Sequence, residues 1–301
     1  MRFMKKVLVT GATGFIGNVL TRHLAEAGYD VRALIRPSRR SPRLPFGVPV
    51  EVAVSGLNDM RGLRSALLDV DVIYHFASEE RRGGEADLLS TDIQGTKTLV
   101  EAAQEAGVNR FFYLSHLGAD RASAFPVLTA KAIAEDHVRK SVLEYTILRS
   151  AVVFGPGDGF TTGVAQLLRR IPFFFFLPNE GETLLQPLWV EDLATLLVWS
   201  LEDDDTCRQT YEIGGPEFLT FRDIVSKIMS VLDIQKNYLS IGSPYLRFFT
   251  VLAEYILPAP PVNVYWLDYL AANHTCSLTT IPQRFNILPS RFGKRIDYLK
   301  E

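Results

Sequence analysis

The chain has 301 residues, 47% of them hydrophobic and 22% charged, which excludes a disordered polypeptide and suits one large α/β domain with a smaller appended lobe. A formal net charge of −2 argues against a dedicated nucleic-acid binder. Two cysteines, Cys207 and Cys276, are too few for a disulfide framework or a structural zinc site, and five histidines are scattered without ligand spacing, so no metal is expected.

The first residues run straight into a predicted strand, Lys6–Thr10, which leaves no room for a signal peptide. No apolar run approaches the length that spans a bilayer, so a reducing, cytoplasmic setting is expected. The strand enters a turn carrying Gly11, Gly14 and Gly17, and a helix is predicted over residues 16–27. Glycines at a strand-to-helix turn let the backbone bend tightly and approach a pyrophosphate, while the unpaired N–H groups of the helix start favour negative charge. The spacing is G-x-x-G-x-x-G rather than the commoner G-x-G-x-x-G, and its place between a strand and a helix points to a nucleotide cofactor.

Further strands are predicted at Asp30–Ile35 and at 50–54, 70–76, 110–115 and 145–149. Helices are predicted between them at 60–68, 84–106 and 127–141, with Gly83–Gly84 and Gly107 bracketing the longest. This alternation predicts a doubly wound parallel sheet of about seven strands, the Rossmann arrangement, covered on both faces. The dinucleotide-binding domain is assigned to residues 1–155, its sheet completed by later strands, and a smaller C-terminal lobe to residues 156–301. In that lobe a short strand is predicted at 173–177 and helices at 190–201 and Phe221–Leu232, with two more helices and an irregular tail over 243–301. The run Phe173–Phe176 reads as a buried strand or as the lining of an apolar mouth.

The order of motifs resembles a short-chain dehydrogenase/reductase of the extended or atypical kind, the NAD-dependent epimerase/dehydratase type. The matching residues are Thr10-Gly-Ala-Thr-Gly-Phe-Ile-Gly17, Val72-Ile-Tyr-His-Phe-Ala77, Gly95-Thr96 with Glu101-Ala-Ala103, and Lys131 with Glu135. The register continues through Tyr145-Thr-Ile-Leu-Arg149, Val153-Phe-Gly-Pro-Gly157, Gln186-Pro-Leu-Trp-Val-Glu-Asp192 and Tyr211-Glu-Ile-Gly-Gly-Pro216. Within that family it is most similar to the group of the NADPH-holding accessory subunit of respiratory complex I and photosystem assembly factors. The tail, Phe285-Asn-Ile-Leu-Pro289 through Asp297-Tyr-Leu299, belongs to that likeness. The resemblance implies a cofactor held by Gly11, Thr13, Gly14, Phe15, Ile16, Gly17, Arg36, Leu57, Phe76, Ala77, Ser115 and Lys131.

At the end of the second strand a carboxylate would bind the adenosine ribose and repel a 2′-phosphate. Here the chain reads Leu34-Ile35-Arg36, with Arg39, Arg40 and Arg43 close behind. Guanidinium forks suit a phosphate dianion, so NADP(H) is expected over NAD(H). The basic loop also admits a reading as a merely solvated charge run. Where the family often has an acidic residue before the adenine-pocket Leu, this chain reads Ser55-Gly56-Leu57, which leaves adenine to main chain and to Asn58 or Asp59.

Reductases of the family use a Tyr-x-x-x-Lys pair, in which the ammonium lowers the phenol pKa for proton exchange with a carbonyl. Four residues before Lys131 stands Val127, which cannot transfer a proton. Three functional readings stay open: a cofactor-binding scaffold or assembly factor, a reductase with a different proton donor, and an epimerase or dehydratase. For a reductase the catalytic candidates are Lys131, His116 and Ser115, with Thr129 assisting; His75, inside a predicted buried strand, reads as a core histidine. Arg149 and Asp192 are expected to tie the lobes together.

Near the C-terminus Tyr245, Phe248, Phe249, Leu252, Tyr255 and Ile256 share one helical stripe, stopped by Pro258-Ala-Pro-Pro261. The stripe reads either as a helix docked on its own lobe or as a surface that meets a membrane protein or the bilayer interface. The expected partners are accordingly a small-molecule substrate or membrane-complex subunits, peripheral to a membrane complex in the second case.

Overall fold

In the computed structural model, residues 5–38, 41–256 and 261–300 are described. Arg39, Arg40, Pro258 and Pro260 lie outside the described residues. Compactness divides the chain into two units. The first comprises residues 1–79, 87–149 and 191–212; the second comprises 80–86, 150–190 and 213–301. The boundary expected near 155 therefore falls beside Arg149, and a later segment returns to the first unit.

The first unit opens with β1 (Lys6–Thr10), α1 (Phe15–Glu26), β2 (Asp30–Ile35), β3 (Glu51–Val54), α2 (Met60–Ala66) and β4 (Val72–His75). After these come α3 (Thr96–Glu105), β5 (Arg110–His116), α4 (Pro126–Arg139) and β6 (Glu144–Ser150). The second unit contributes β7 (Val153–Phe154), α5 (Thr161–Arg170), β8 (Phe174–Pro178), β9 (Leu184–Leu185) and β10 (Leu188–Trp189). The chain then passes through α6 (Val190–Ser200) and β11 (Gln209–Ile213) of the large sheet. It ends in β12 (Leu219–Thr220), α7 (Phe221–Leu232), β13 (Asn237–Ile241), α8 (Ser243–Ile256), α9 (Val264–Tyr269) and α10 (Thr280–Phe285).

The seven-stranded sheet has the order β11-β6-β5-β4-β1-β2-β3, and the pairs β1/β2, β1/β4, β2/β3 and β4/β5 are parallel. Apolar runs such as Val7-Leu8-Val9 form its central strands because both faces are covered, so no polar alternation is needed. Leu8, Ile73 and Phe111 from three neighbouring strands pack with Leu63 of α2, Leu99 of α3 and Val138 of α4 in one core. The chain reverses its winding direction between β1 and β4, and a cleft opens there at the carboxyl ends of the strands.

The single helix expected over 84–106 starts later, at Leu88, and runs without interruption to Glu105. Residues Glu80–Glu85 form a 3₁₀ turn with Gly83 at φ 57°, Leu89–Gly95 form a π-turn, and only Thr96–Glu105 is α-helical. The glycine pair does not start a helix; the N–H of Gly84 donates to Glu254, and a side chain at Gly83 would overlap that carboxylate. The C-terminal stretch carries three α-helices and two 3₁₀ turns rather than two helices and an irregular tail. In the phenylalanine run the outcome is mixed, with Phe175 buried and Phe173 and Phe174 exposed.

Within the second unit, α8 is tied to its neighbours by its charged groups. Glu254 accepts the N–H of Gly84 at 3.2 Å and of Val264 at 2.6 Å, and Arg247 pairs with Asp268 of α9. The apolar stripe consequently faces out, with Phe248 65% exposed and Tyr255 90% exposed. The helix thus docks on its own unit, against α9 and the Glu80–Glu85 turn, but not through the apolar stripe.

Candidate cofactor site

The turn between β1 and α1 is built by two glycines whose absence of Cβ is structurally required. Gly11 has φ +70°, and a Cβ there would stand 2.8 Å from the backbone N of Ala77. A Cβ on Gly17 would overlap the Gly11 carbonyl oxygen. Gly14 opens α1 with no side-chain cap and no acidic residue in the first turn, so the first-turn amides of Phe15, Ile16 and Gly17 face any anion placed there.

Beside this turn lies a cleft of about 240 Å³ lined by Gly11, Thr13, Gly14, Arg36, Leu57, Phe76 and Ala77, together with Leu34, Ser55, Ser78 and Thr91. Seven of the sequence-predicted cofactor residues thus converge on one wall. An uncapped helix start, glycines that admit close backbone approach and an arginine at the far end fit a dinucleotide pyrophosphate and its adenosine end. Asn58 and Asp59 are otherwise engaged: Asp59 caps α2 by accepting the N–H of Gly62, and Asn58 donates to Ser90.

The floor of the cleft is held by His75. Its Nδ1 lies 2.7 Å from Thr10 Oγ1 and its Nε2 2.8 Å from Thr96 Oγ1. Thr10 Oγ1 in turn accepts the N–H groups of Phe76 and Ala77. Burial, with the charge of Lys131 adding to it, pushes the imidazole pKa down to about 3. His75 is therefore the neutral core histidine expected from its strand.

Lys131 is 4% exposed on α4, and its Nζ lies 3.3 Å from Asp92 Oδ1. Asp92, on the π-turn, also accepts Ser78 Oγ–H at 2.6 Å and the Glu79 N–H at 3.1 Å. A polar chain Ser78–Asp92–Lys131 thus runs from the cleft wall to α4, with Lys131 5.7 Å above the Tyr113 ring. Sequence reasoning missed Asp92 and Ser78, because a π-wound turn shifts Asp92 out of the α-helical period and Ser78 lies in an irregular loop. Ser115 is 1% exposed at the end of β5, and its Oγ has no hydrogen-bond partner among the described residues. His116 follows it, half-buried. Val127 stands half-buried in the first turn of α4.

Arg36 donates from Nη1 to Glu79 Oε1 at 2.6 Å. Arg43 lines a second cavity, of about 550 Å³, with Arg36, Ser38, Ser41 and Thr13. Arg149 does not fulfil its expected tie between lobes. Its guanidinium grips Glu135, buried on α4, at 3.0 and 2.8 Å and approaches Glu212, all inside the first unit. Among the described residues no cluster of metal-ligating side chains occurs, and no helix is long and apolar enough to cross a membrane.

The profile of the NAD(P)H-binding family matches residues 11–166, which span the glycine turn, β2, β4, β5 and α4. The chain belongs to that family. It is an atypical short-chain dehydrogenase/reductase. Over 288 residues it is 27% identical to mitochondrial NADH dehydrogenase [ubiquinone] 1 alpha subcomplex subunit 9 of Arabidopsis thaliana, covering 90% of this chain and 70% of that protein. It is 38% identical to a putative dihydroflavonol 4-reductase of Synechocystis over 83% of this chain and 79% of the relative. Against a ceramide reductase of Caulobacter vibrioides it is 34% identical over 64% of this chain, and it spans only 59% of that protein's length. An epimerase structure from Methanothermobacter thermautotrophicus superposes with a TM-score of 0.77 at 18% identity, over 98% of this chain and 92% of that one, which shows the shared fold.

Proposed function

We propose that this NAD(P)H-binding protein holds NADP(H) as a cofactor-loaded scaffold for a membrane redox complex rather than as a tyrosine-dependent reductase. The observation that carries this is Val127 at the position four residues before Lys131, combined with a Lys131 ammonium already engaged by Asp92. No phenol stands on that helical face to exchange a proton with a carbonyl. Arg36 beside the cleft, with Arg43 in the neighbouring cavity, supplies the positive charge that favours the 2′-phosphate form. The outward apolar face of α8 supports the partner half of the reading, since exposed clusters of large apolar side chains are commonly interaction surfaces. The likeness to a complex I accessory subunit points the same way. Peripheral association with a membrane complex follows from the same two observations.

A second reading is favoured by one specific observation. Ser115 Oγ, buried and without a hydrogen-bond partner among the described residues, would be available to a substrate oxygen, with His116 next to it in the chain. That reading makes the chain an NADPH-dependent reductase, as some relatives are named. The two separate on NADPH oxidation against a panel of carbonyls, quinones and enones. The scaffold reading expects no substrate-dependent oxidation. Oxidation that Ser115→Ala and Lys131→Ala both abolish would establish the reductase instead.

A further inference from the structure

We infer that Glu79 is an internal competitor for Arg36, holding it across the cofactor groove and so weakening the binding of phosphorylated and unphosphorylated dinucleotides alike; this rests on the reading of Arg36 as the 2′-phosphate ligand. Arg36 directly follows β2, and Glu79 stands four residues past the end of β4. Strands β2 and β4 are the two neighbours of β1 in the sheet. Their ends lie two strand spacings apart, about 10 Å. The 2.6 Å bond between Arg36 Nη1 and Glu79 Oε1 therefore passes above the end of β1, where the glycine turn begins. That is the path of a dinucleotide laid across the strand ends.

The two ends of this strap differ in their freedom. Glu79 is 5% exposed and fixed: its N–H donates to Asp92, and its Oε2 accepts the N–H of Asp87 at 3.1 Å. The Arg36 side chain is 68% exposed and lines both the cleft and the neighbouring cavity that holds Ser38, Ser41 and Arg43. A dinucleotide entering the groove has to open the bond. With a 2′-phosphate, the guanidinium exchanges one anion for another, in geometry that guanidinium and phosphate share. With a plain ribose hydroxyl, it exchanges a carboxylate for a neutral group. Opening the strap costs both cofactors the same, and the preference between them comes from the charged partner that the 2′-phosphate gives Arg36.

The test is calorimetric titration of the full chain with NADPH and with NADH, using wild type, Glu79→Gln and Glu79→Asp. Glutamine keeps the shape without the charge, and aspartate keeps the charge but is one methylene too short to span. Both variants are expected to tighten NADPH and NADH by the same factor, roughly five- to tenfold, with their ratio unchanged, because both dinucleotides open the same bond. Unchanged affinity for both cofactors, or tightening of only one of them, overturns the proposal, as does weaker NADH binding, which would make Glu79 a ribose ligand. A wild type without NADPH preference, or an Arg36→Ala variant that keeps it, would overturn the Arg36 reading instead.

Discussion

His75 lies wholly buried between two threonines, and the direction of each proton there is forced. Thr96 Oγ1 donates to the Asp92 carbonyl at 2.6 Å, so it accepts from His75 Nε2–H. Thr10 Oγ1 already accepts two backbone N–H groups and gives its own proton to Nδ1. The neutral tautomer satisfies every group; a protonated ring would have a donor facing a donor. The folded pKa of about 3 lies below the ordinary 6.5, so the unfolded chain binds the extra proton first. The stabilisation is complete above pH 6.5 and is lost as pH falls from there toward 3. Between pH 6.5 and 5, before carboxylates titrate, wild type should lose about 2 kcal/mol of urea-measured stability. His75→Gln, which cannot titrate, should lack that decline; an equal decline in both would contradict the account. A buried histidine was readable from its apolar strand, whereas its two threonine partners, one on β1 and one on α3, were not.

The π-winding at the start of the expected third helix matters more than its length. Regular α-winding over 84–106 would turn residue 92 to a different angle about the helix axis. The π-turn Leu89–Gly95 instead brings Asp92, 1% exposed, against Lys131 of α4. Removing one partner of such a pair strands the other charge, so Lys131→Met should cost about 3–5 kcal/mol in chemical denaturation. Adding Asp92→Asn should recover part of that loss, and additive losses would show that the two groups are not coupled. Helix α8 makes the complementary case. Its stripe was readable at helical spacing, but the side it faces depends on contacts of Glu254 and Arg247 with backbone and residues far along the chain. Phe249→Glu and Tyr255→Glu should move stability by no more than about 0.5 kcal/mol, because both rings are already in solvent. Glu254→Ala should cost about 1–2 kcal/mol by stranding two N–H groups. The reverse order in thermal melts would mean that the helix docks through its apolar face.

The sheet and the cleft follow from features a sequence carries locally: apolar runs of strand length, glycines at a strand-to-helix turn and an arginine at a fixed offset from β2. Seven predicted cofactor residues line one cleft for that reason. What the sequence does not carry is pairing across distance. Glu79 on Arg36, Asp92 on Lys131 and Glu135 on Arg149 join residues 14 to 43 positions apart, with no periodicity linking them. Each pairing changes a functional expectation: the first places a strap over the groove, the second engages the lysine, and the third keeps Arg149 within the first unit. The central claim, a cofactor site tuned to NADP(H), reduces to one comparison. Isothermal titration of the purified chain with NADPH and NADH, at matched ionic strength, should give tighter NADPH binding in wild type and a narrowed difference in Arg36→Ala. Equal affinities in wild type would contradict it.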